Sequence, residues 1–308
     1  MKVLIAGGSG LIGSELSKSL IQKGDEVCIL TRDVSKTRND VNEKKQFLEW
    51  DTVSVDTLIP YLQDVKAVIN LVGENLGTGL WTRKKKQLIV QSRVQAGRAL
   101  TSAILQSDSK PDVFIQASAI GYYGISQSVK FDETSPNGKD FLSNVAIQWE
   151  NSSVDLDHST VRRVILRTGV VLHPKTGALP LMALPFKLMV GGPLGSGKQI
   201  LSWIHIKDEV SAIDFILRNP DISGPVNLCA PEPQSNADFG KILAKVIHKP
   251  YWFPTPAFAL KIALGDKSTM VLDGQYIVPN KLLENQFKFI FPHLEQALSD
   301  IYSVTSNN

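Results

Sequence analysis

Cysteine is scarce. Cys28 and Cys229 are the only two among 308 residues. Without CxxC spacing they supply neither a disulfide framework nor a thiolate metal site, so both read as reduced thiols of a reducing compartment. No stretch approaches the roughly 20 apolar residues that cross a bilayer. The opening Met1-Lys2-Val3-Leu4-Ile5-Ala6 has the texture of a strand and lacks the apolar core and cleavage site of a secretion signal. The expectation is a cytoplasmic protein with no membrane partner. An excess of one charge sign is also missing: 33 basic against 30 acidic side chains leave +3, too little for a nucleic-acid footprint. The run Arg83-Lys84-Lys85-Lys86 is short, has no interleaved aromatic residue and reads as a solvated helix face. No His, Cys and carboxylate cluster has metal-ligand spacing, so no metal is expected. No repeat and no low-complexity tract occurs.

The length allows one large domain or two modest ones with a core that needs no covalent staple. Short apolar runs bounded by turn residues recur at residues 3–6, 27–30, 67–72, 113–117 and 163–167, the texture of buried parallel strands. Between them lie segments of helical period, Ile12, Leu16 and Leu20, then Val90, Val94, Gly97, Leu100 and Ile104. Strand alternating with helix predicts an α/β chain with a Rossmann-like, doubly wound parallel sheet. From about Gly177 onward prolines punctuate shorter elements, which predicts a smaller substrate lobe. The expected division is 1–176 for the nucleotide-binding domain and 177–308 for the C-terminal lobe, with a segment such as 201–230 able to return to the sheet. That lobe is expected over the C-terminal edge of the sheet, and the polar end 305–308 is expected to fray.

The strongest local signal is Gly7-Gly8-Ser9-Gly10-Leu11-Ile12-Gly13, directly after the first strand and opening the first amphipathic helix. Gly7 permits the tight turn, Gly10 lets backbone approach a pyrophosphate, and Gly13 lets the helix pack on the sheet. The helix N-terminus adds unpaired N–H donors and a positive dipole end. Gly24 after Lys23 is a natural left-handed cap. About 20 residues on, where an acidic residue would hold the ribose hydroxyls of NAD, the sequence reads Thr31-Arg32. A guanidinium grips a 2′-phosphate that a carboxylate would repel, so NADP (NADPH) is the expected cofactor. The competing reading has Arg32 as an ordinary loop arginine and Asp33 on the ribose.

These motifs occur together with Asn70-Leu71-Val72-Gly73-Glu74-Asn75, Ala117-Ser118-Ala119-Ile120-Gly121-Tyr122-Tyr123-Gly124, Leu166-Arg167-Thr168-Gly169 and Trp203-Ile204-His205-Ile206-Lys207-Asp208. On these blocks the chain resembles the NAD(P)-dependent epimerase/dehydratase group of extended short-chain dehydrogenase/reductases. More closely, it resembles the "epimerase family protein" subgroup, whose C-terminal extension has no assigned function. The resemblance implies that Gly7, Ser9, Gly10, Leu11 and Ile12 form the phosphate loop and that Thr31 and Arg32 meet the adenosine end. It further implies that Leu71, Val72 and Gly73 underlie adenine and ribose, and that Arg93 faces the cofactor from the central helix. For Arg93, a helix-surface arginine is the alternative.

The same resemblance implies a Tyr-x-x-x-Lys pair with a Ser or Thr, in which Lys lowers the Tyr pKa and the phenol exchanges a proton with the substrate oxygen. No such spacing occurs between Gly124 and Val161. Phe141 stands at the Tyr position and Val145 at the Lys position, with neither proton nor charge to offer. Candidate substitutes are Tyr122 and Ser118, near the sheet edge where ligands of open α/β sheets bind. The alternative has both tyrosines, Tyr122 and Tyr123, packing the nicotinamide wall. Glu74, Asn75 and Trp81 are further candidates for the cleft or for an ordinary turn. His205 reads as a structural histidine, and the Gly191 to Gly197 loop lacks the ending of a P-loop.

Two functions follow. One is an NADP(H)-dependent oxidoreductase or epimerase acting on an unidentified small hydroxyl- or carbonyl-bearing molecule through an atypical donor. The other is a catalytically weak NADP(H)-sensing protein linked to cell division, a role suggested by labels that some relatives carry. A small-molecule substrate is the expected partner, and a homodimer is the assembly to test.

Overall fold

The computed structural model describes residues 1–35, 43–126 and 128–305; residues 306–308, expected to fray, lie outside these. Seven strands form one parallel sheet: β1 (Lys2–Ala6), β2 (Glu26–Thr31), β3 (Lys45–Glu49), β4 (Ala67–Asn70), β5 (Val113–Ala119), β6 (Arg162–Thr168) and β7 (Gly224–Leu228). Their order is β7-β6-β5-β4-β1-β2-β3, so the chain runs outward from β1 in one direction and then in the other. This is the doubly wound Rossmann-like arrangement, whose strand order reverses at β1 and opens a crevice at the C-terminal strand ends.

Side chains alternate across each strand, and the alternation sorts the core into two layers. Val3, Ile5, Val27 and Ile29 meet Leu16 and Leu20 of α1 (Leu11–Gln22) together with residues of the later helix Ile206–Arg218. Leu4, Ala6, Cys28 and Leu30 face the other way, toward Leu100 and Ile104 of α2 (Arg83–Gln106), Trp50 and Leu58. Both cysteines are buried and free. At the end of α1, Gly24 has φ +93° and donates to Ile21 O, while Asp25 N reaches Leu20 O; only the left-handed conformation lets the chain turn this sharply.

The buried stripe of α2 runs through Ile89, Arg93, Ala96, Leu100 and Ala103, whereas the apolar spacing alone had placed it through Val90 and Val94. Those valines are only half-buried. Gly97 fixes the rotation of the helix: a Cβ there would lie 1.9 Å from Ser152 Oγ, so α2 packs against α3 (Phe141–Asn151) through its smallest residue. Asp140 caps α3 by accepting from Ser143 N. The lysine run is also more than a solvated face. Lys85 pairs with Glu74, and Lys86 pairs with Asp266 at 2.6 Å while lying over the Phe141 ring.

After β6 the chain leaves the sheet through α4 (Ala178–Lys187), returns for α5 (Ile206–Arg218) and β7, and leaves again through α6 (Asn236–Val246) and α7 (Ala257–Leu264). Trp203, Phe186, Phe239, Leu243, Leu294 and Leu298 form a separate apolar cluster in this second layer. The lobe is moored at the C-terminal edge of the sheet in two places. A Cβ on Gly177 would meet Leu11 at 3.3 Å beside the glycine turn. Lys267 Nζ holds the carbonyls of Gly77 and Gly79 in the loop after β4.

Candidate active site

The turn after β1 is shaped by what cannot fit. Gly7 has φ +81°, and a Cβ on it would lie 2.8 Å from the Leu71 carbonyl carbon; a Cβ on Gly13 would lie 2.6 Å from Gly7 O. Gly8, which the sequence reading did not single out, packs on Ile29, whose side chain would meet a Cβ at 2.7 Å. Gly10 N donates to Gly7 O at 3.0 Å, and Gly10 caps α1 without a side-chain bond. The first-turn N–H groups of Leu11, Ile12 and Gly13 therefore sit at an uncapped positive dipole end, with Ser9 exposed above them. These residues fit an anionic pyrophosphate: the cradle is backbone, and any added carbon would fill it.

Neighbouring strand ends complete this half. Leu71 N donates to Ala6 O and Val72 N to Asn70 Oδ1, which fixes the loop beside Gly7. At the tip of β2 the Thr31 hydroxyl accepts from Asp33 N at 3.3 Å. Asp33 also accepts from Ser35 N and Oγ. Arg32 is exposed, and among the described residues no carboxylate pairs with it. Arg93 is not on the helix surface. It is buried under Gly73, donates to Glu74 O and Ile89 O, and lies 4.7 Å over the Trp149 ring. Burial lowers its pKa to about 10, against the pull of Glu74, so it stays charged directly beneath the Gly73 backbone.

The other half is built from side chains. Phe141 and Val145 join Trp81 and Ile89 in a small apolar cluster, with Trp81 edge-on to Phe141 at 5.4 Å. Trp81 Nε1 donates to Leu76 O and Asn75 Oδ1 accepts from Gly77 N, while Glu74 holds Lys85. These three residues therefore brace their own loop. An open cleft of about 540 Å³ is bounded by Trp81, Lys86, Val90, Phe141 and Asp266.

Beside this cluster runs a buried polar network that the sequence reading did not assemble. Arg167 of β6 makes a two-pronged pair with Glu150, Nε to Oε1 and Nη2 to Oε2, both 2.9 Å. Ser118 Oγ donates to the same Glu150 at 2.7 Å. Ser118 is buried and its proton is engaged by Glu150 inside the protein, whereas the sequence reading expected a hydroxyl open to the cleft. Tyr123 is buried and donates to Asn227 Oδ1 at 2.6 Å while accepting from Arg167 Nη1. Asn227 N in turn donates to the buried Glu133. Burial by itself would depress Arg167, but the Glu150 bonds and charge hold its pKa above the ordinary range; burial pushes Tyr123 up. One signal was available in the sequence: arginine inside an apolar strand needs a buried partner.

Tyr122 differs from its neighbour. Its ring lies on the Arg167 guanidinium, 3.4 Å from Cζ to the centroid, and it is half-buried. Among the described residues its hydroxyl has no hydrogen-bond partner. His205 is structural: it is buried, Nδ1 caps α5 by accepting from Lys207 N, and the ring packs on Phe291. Burial lowers its pKa to about 4, opposed by Asp300. Glu209 of α5 is fully buried; Oε1 accepts from the Thr168 hydroxyl, Oε2 has no partner, and burial raises its pKa to about 8. Among the described residues no group of His, Cys, Asp and Glu could hold a metal, and no helix is long and apolar enough to cross a membrane.

The model of the NAD dependent epimerase/dehydratase family matches residues 3–229, and that of a domain of unknown function, DUF1731, matches residues 255–301. The chain is 38% identical over 304 residues to the epimerase family protein YfhF of Bacillus subtilis, covering 98% of each chain. It is 40% identical over 301 residues to the epimerase family protein SSP1921 of Staphylococcus saprophyticus, covering 97% of this chain and 98% of that one. Among solved structures, human epimerase family protein SDR39U1 with NADPH superposes with a TM-score of 0.88 at 30% identity, covering 98% of this chain and 99% of the human one. The UDP-glucose 4-epimerase of Thermus thermophilus with NAD gives 0.78 at 18% identity over the whole of both chains, a likeness of fold.

Proposed function

Because this chain belongs to the NAD dependent epimerase/dehydratase family, we propose that it binds NADP(H) and acts as an oxidoreductase or epimerase on a small substrate bearing a hydroxyl or carbonyl. The glycine cradle would hold the pyrophosphate. Arg32 would grip the 2′-phosphate, a reading supported by its exposed guanidinium, unpaired among the described residues, and by the NADPH in the human relative. When bound, the nicotinamide supplies or accepts hydride.

The chain's own task is the proton. Hydride arriving at a carbonyl leaves an alkoxide that needs a donor, and a positioned acid contributes about 10² to 10⁴-fold. Phe141 and Val145 offer none. The observation that carries the reading is the contrast between the two tyrosines at the end of β5: Tyr123 has its hydroxyl tied to Asn227 and Arg167, while that of Tyr122 is uncommitted among the described residues. Tyr122 is therefore the proton-exchanging group, held by ring stacking on a guanidinium that Glu150 and Ser118 fix from behind.

Calorimetry tests the cofactor: NADPH should bind more tightly than NADH, and Arg32→Ala should weaken NADPH by about 1.5–3 kcal/mol while sparing NADH. Tighter NADH binding by the unaltered protein would refute it. A substrate screen with NADPH oxidation as readout then tests the donor: Tyr122→Phe should lose about 10²-fold or more, and unchanged turnover removes Tyr122 from the mechanism. A second reading rests on the apolar cluster of Trp81, Ile89, Phe141 and Val145, which fills the usual catalytic positions as a folded sensor of NADP(H) would. Tight NADPH binding with no turnover across the screen would favour it.

A further inference from the structure

We propose that the substrate carries an extended apolar chain and an anionic group, and that the chain lies along an exposed face of the C-terminal lobe; the proposal rests on the oxidoreductase reading above and narrows its substrate. The face is made by α4, the residues that follow it, and α7. No residue of α7 is buried. Ile262 is 81% exposed, Phe258 68%, Trp252 67% and Leu188 64%. Single exposed apolar residues are ordinary, but a contiguous group of large ones marks a binding surface. The segments after α4 and before α7 run side by side: Trp252 Nε1 donates to Met189 O at 2.8 Å, the Trp252 and Phe253 amides donate to Gly191 O, Leu194 bridges Thr255, and a Cβ on Gly195 would meet Ala257 at the start of α7.

Position and charge select the occupant. The start of α4 rests against Leu11 of the glycine turn, and the turn after α7 holds the carbonyls of Gly77 and Gly79 through Lys267. The apolar face is thus moored at two rims of the crevice above the C-terminal strand ends, where ligands of this sheet class bind. No Asp or Glu occurs between Asp157 and Asp208, or between Asp238 and Asp266. Lys187, Lys198, Lys249 and Lys261 are exposed, and among the described residues none forms an ion pair. Asp273 lies near enough to Lys261 to feel its charge. An apolar face whose rim carries more lysines than carboxylates complements an anionic amphiphile. α7 alone offers about 12 Å of length.

The test uses the full chain loaded with NADPH and titrated calorimetrically with octanoate, decanoate and dodecanoate below their micelle concentrations. We expect saturable one-to-one binding that tightens about three- to fourfold per added methylene. Decanol should bind more weakly than decanoate at low salt, with the gap closing as salt rises. Leu188→Asp with Ile262→Asp should weaken decanoate at least tenfold and leave NADPH affinity unchanged, which also shows that the variant is folded. Absence of saturable binding, or an unaltered affinity in the double variant, overturns the proposal. So does a concentration-dependent dimer in sedimentation that the double variant abolishes, or capture only by anionic phospholipid vesicles, since either gives the face another occupant. The same titration without NADPH keeps the two readings apart: failure to bind NADPH refutes the cofactor reading, while the chain-length series still reports on the apolar face.

Discussion

The two halves of the crevice stand at the ends of neighbouring strands and are made of different material. Around β1 and α1 the site is backbone: Gly7, Gly8, Gly10 and Gly13 matter for the atoms they lack. Around α2, α3 and β6 it is side chains: Trp81, Phe141 and Val145 pack as apolar surface, and Arg167 gathers Glu150, Tyr123 and the Tyr122 ring. A backbone cradle persists whatever chemistry is done beside it, whereas a side-chain constellation changes when one residue does. The first half is therefore fixed by what its backbone excludes, and the second by which side chains meet.

The sharpest way to break the side-chain half is Arg167→Ala, which leaves the Glu150 carboxylate buried without its partner. We expect a loss of about 3–5 kcal/mol in denaturant unfolding, with partial recovery in Arg167→Met combined with Glu150→Gln; a loss near zero would mean that the network is solvated. Matched changes on the two sides come next. Gly13→Ala should cost about 1–3 kcal/mol by overpacking and lower NADPH affinity at least tenfold. Val145→Ala should cost about 2 kcal/mol from two lost methyl groups and a cavity yet leave NADPH affinity unchanged. Equal effects on NADPH would erase the distinction between the halves. Phe141→Tyr with Val145→Lys should restore no activity, because a lysine in that apolar cluster must be desolvated.

The last test lies in pH. Glu209 keeps its proton up to about pH 8 when folded but only to about 4.5 when unfolded. The folded state therefore binds the extra proton between those values, and stability falls as pH rises through the window, by about 1.4 kcal/mol per unit. His205 does the reverse: its pKa drops from 6.5 to about 4 on folding, so stability is lost as pH falls from 6.5. The two slopes oppose each other from about 4.5 to 6.5, and of the two only that of Glu209 continues above. Thermal unfolding should show stability declining from pH 6.5 to 8, and Glu209→Gln should flatten that limb. A limb unchanged by the substitution would mean that Glu209 is ionised in the fold.

Much of the architecture was legible because it repeats. Residues 3–6 and 27–30 alternate inward on both faces, and the glycine pattern sits one residue beyond a strand. The rotation of α2 was not legible, since it turns on Gly97 meeting Ser152, a contact between distant segments. Ser118 looked like a cleft hydroxyl for the same reason: nothing near it in sequence announces Glu150, 32 residues on. Arg93 shows the same limit: the resemblance singled it out, but nothing local announces a buried group stacked on Trp149.

The sequence by itself determined the sheet, the glycine turn after β1, the cation at the tip of β2 and the absence of Tyr-x-x-x-Lys spacing between Gly124 and Val161, because each depends on residue type at short spacing or on hydrophobic period. Only the tertiary structure decided which tyrosine hydroxyl is tied to Asn227, which arginine is paired with Glu150 and where the apolar face of the C-terminal lobe lies. Those properties belong to side chains meeting across β5, β6, β7 and α3, and local sequence does not encode the partner that burial brings within hydrogen-bond reach.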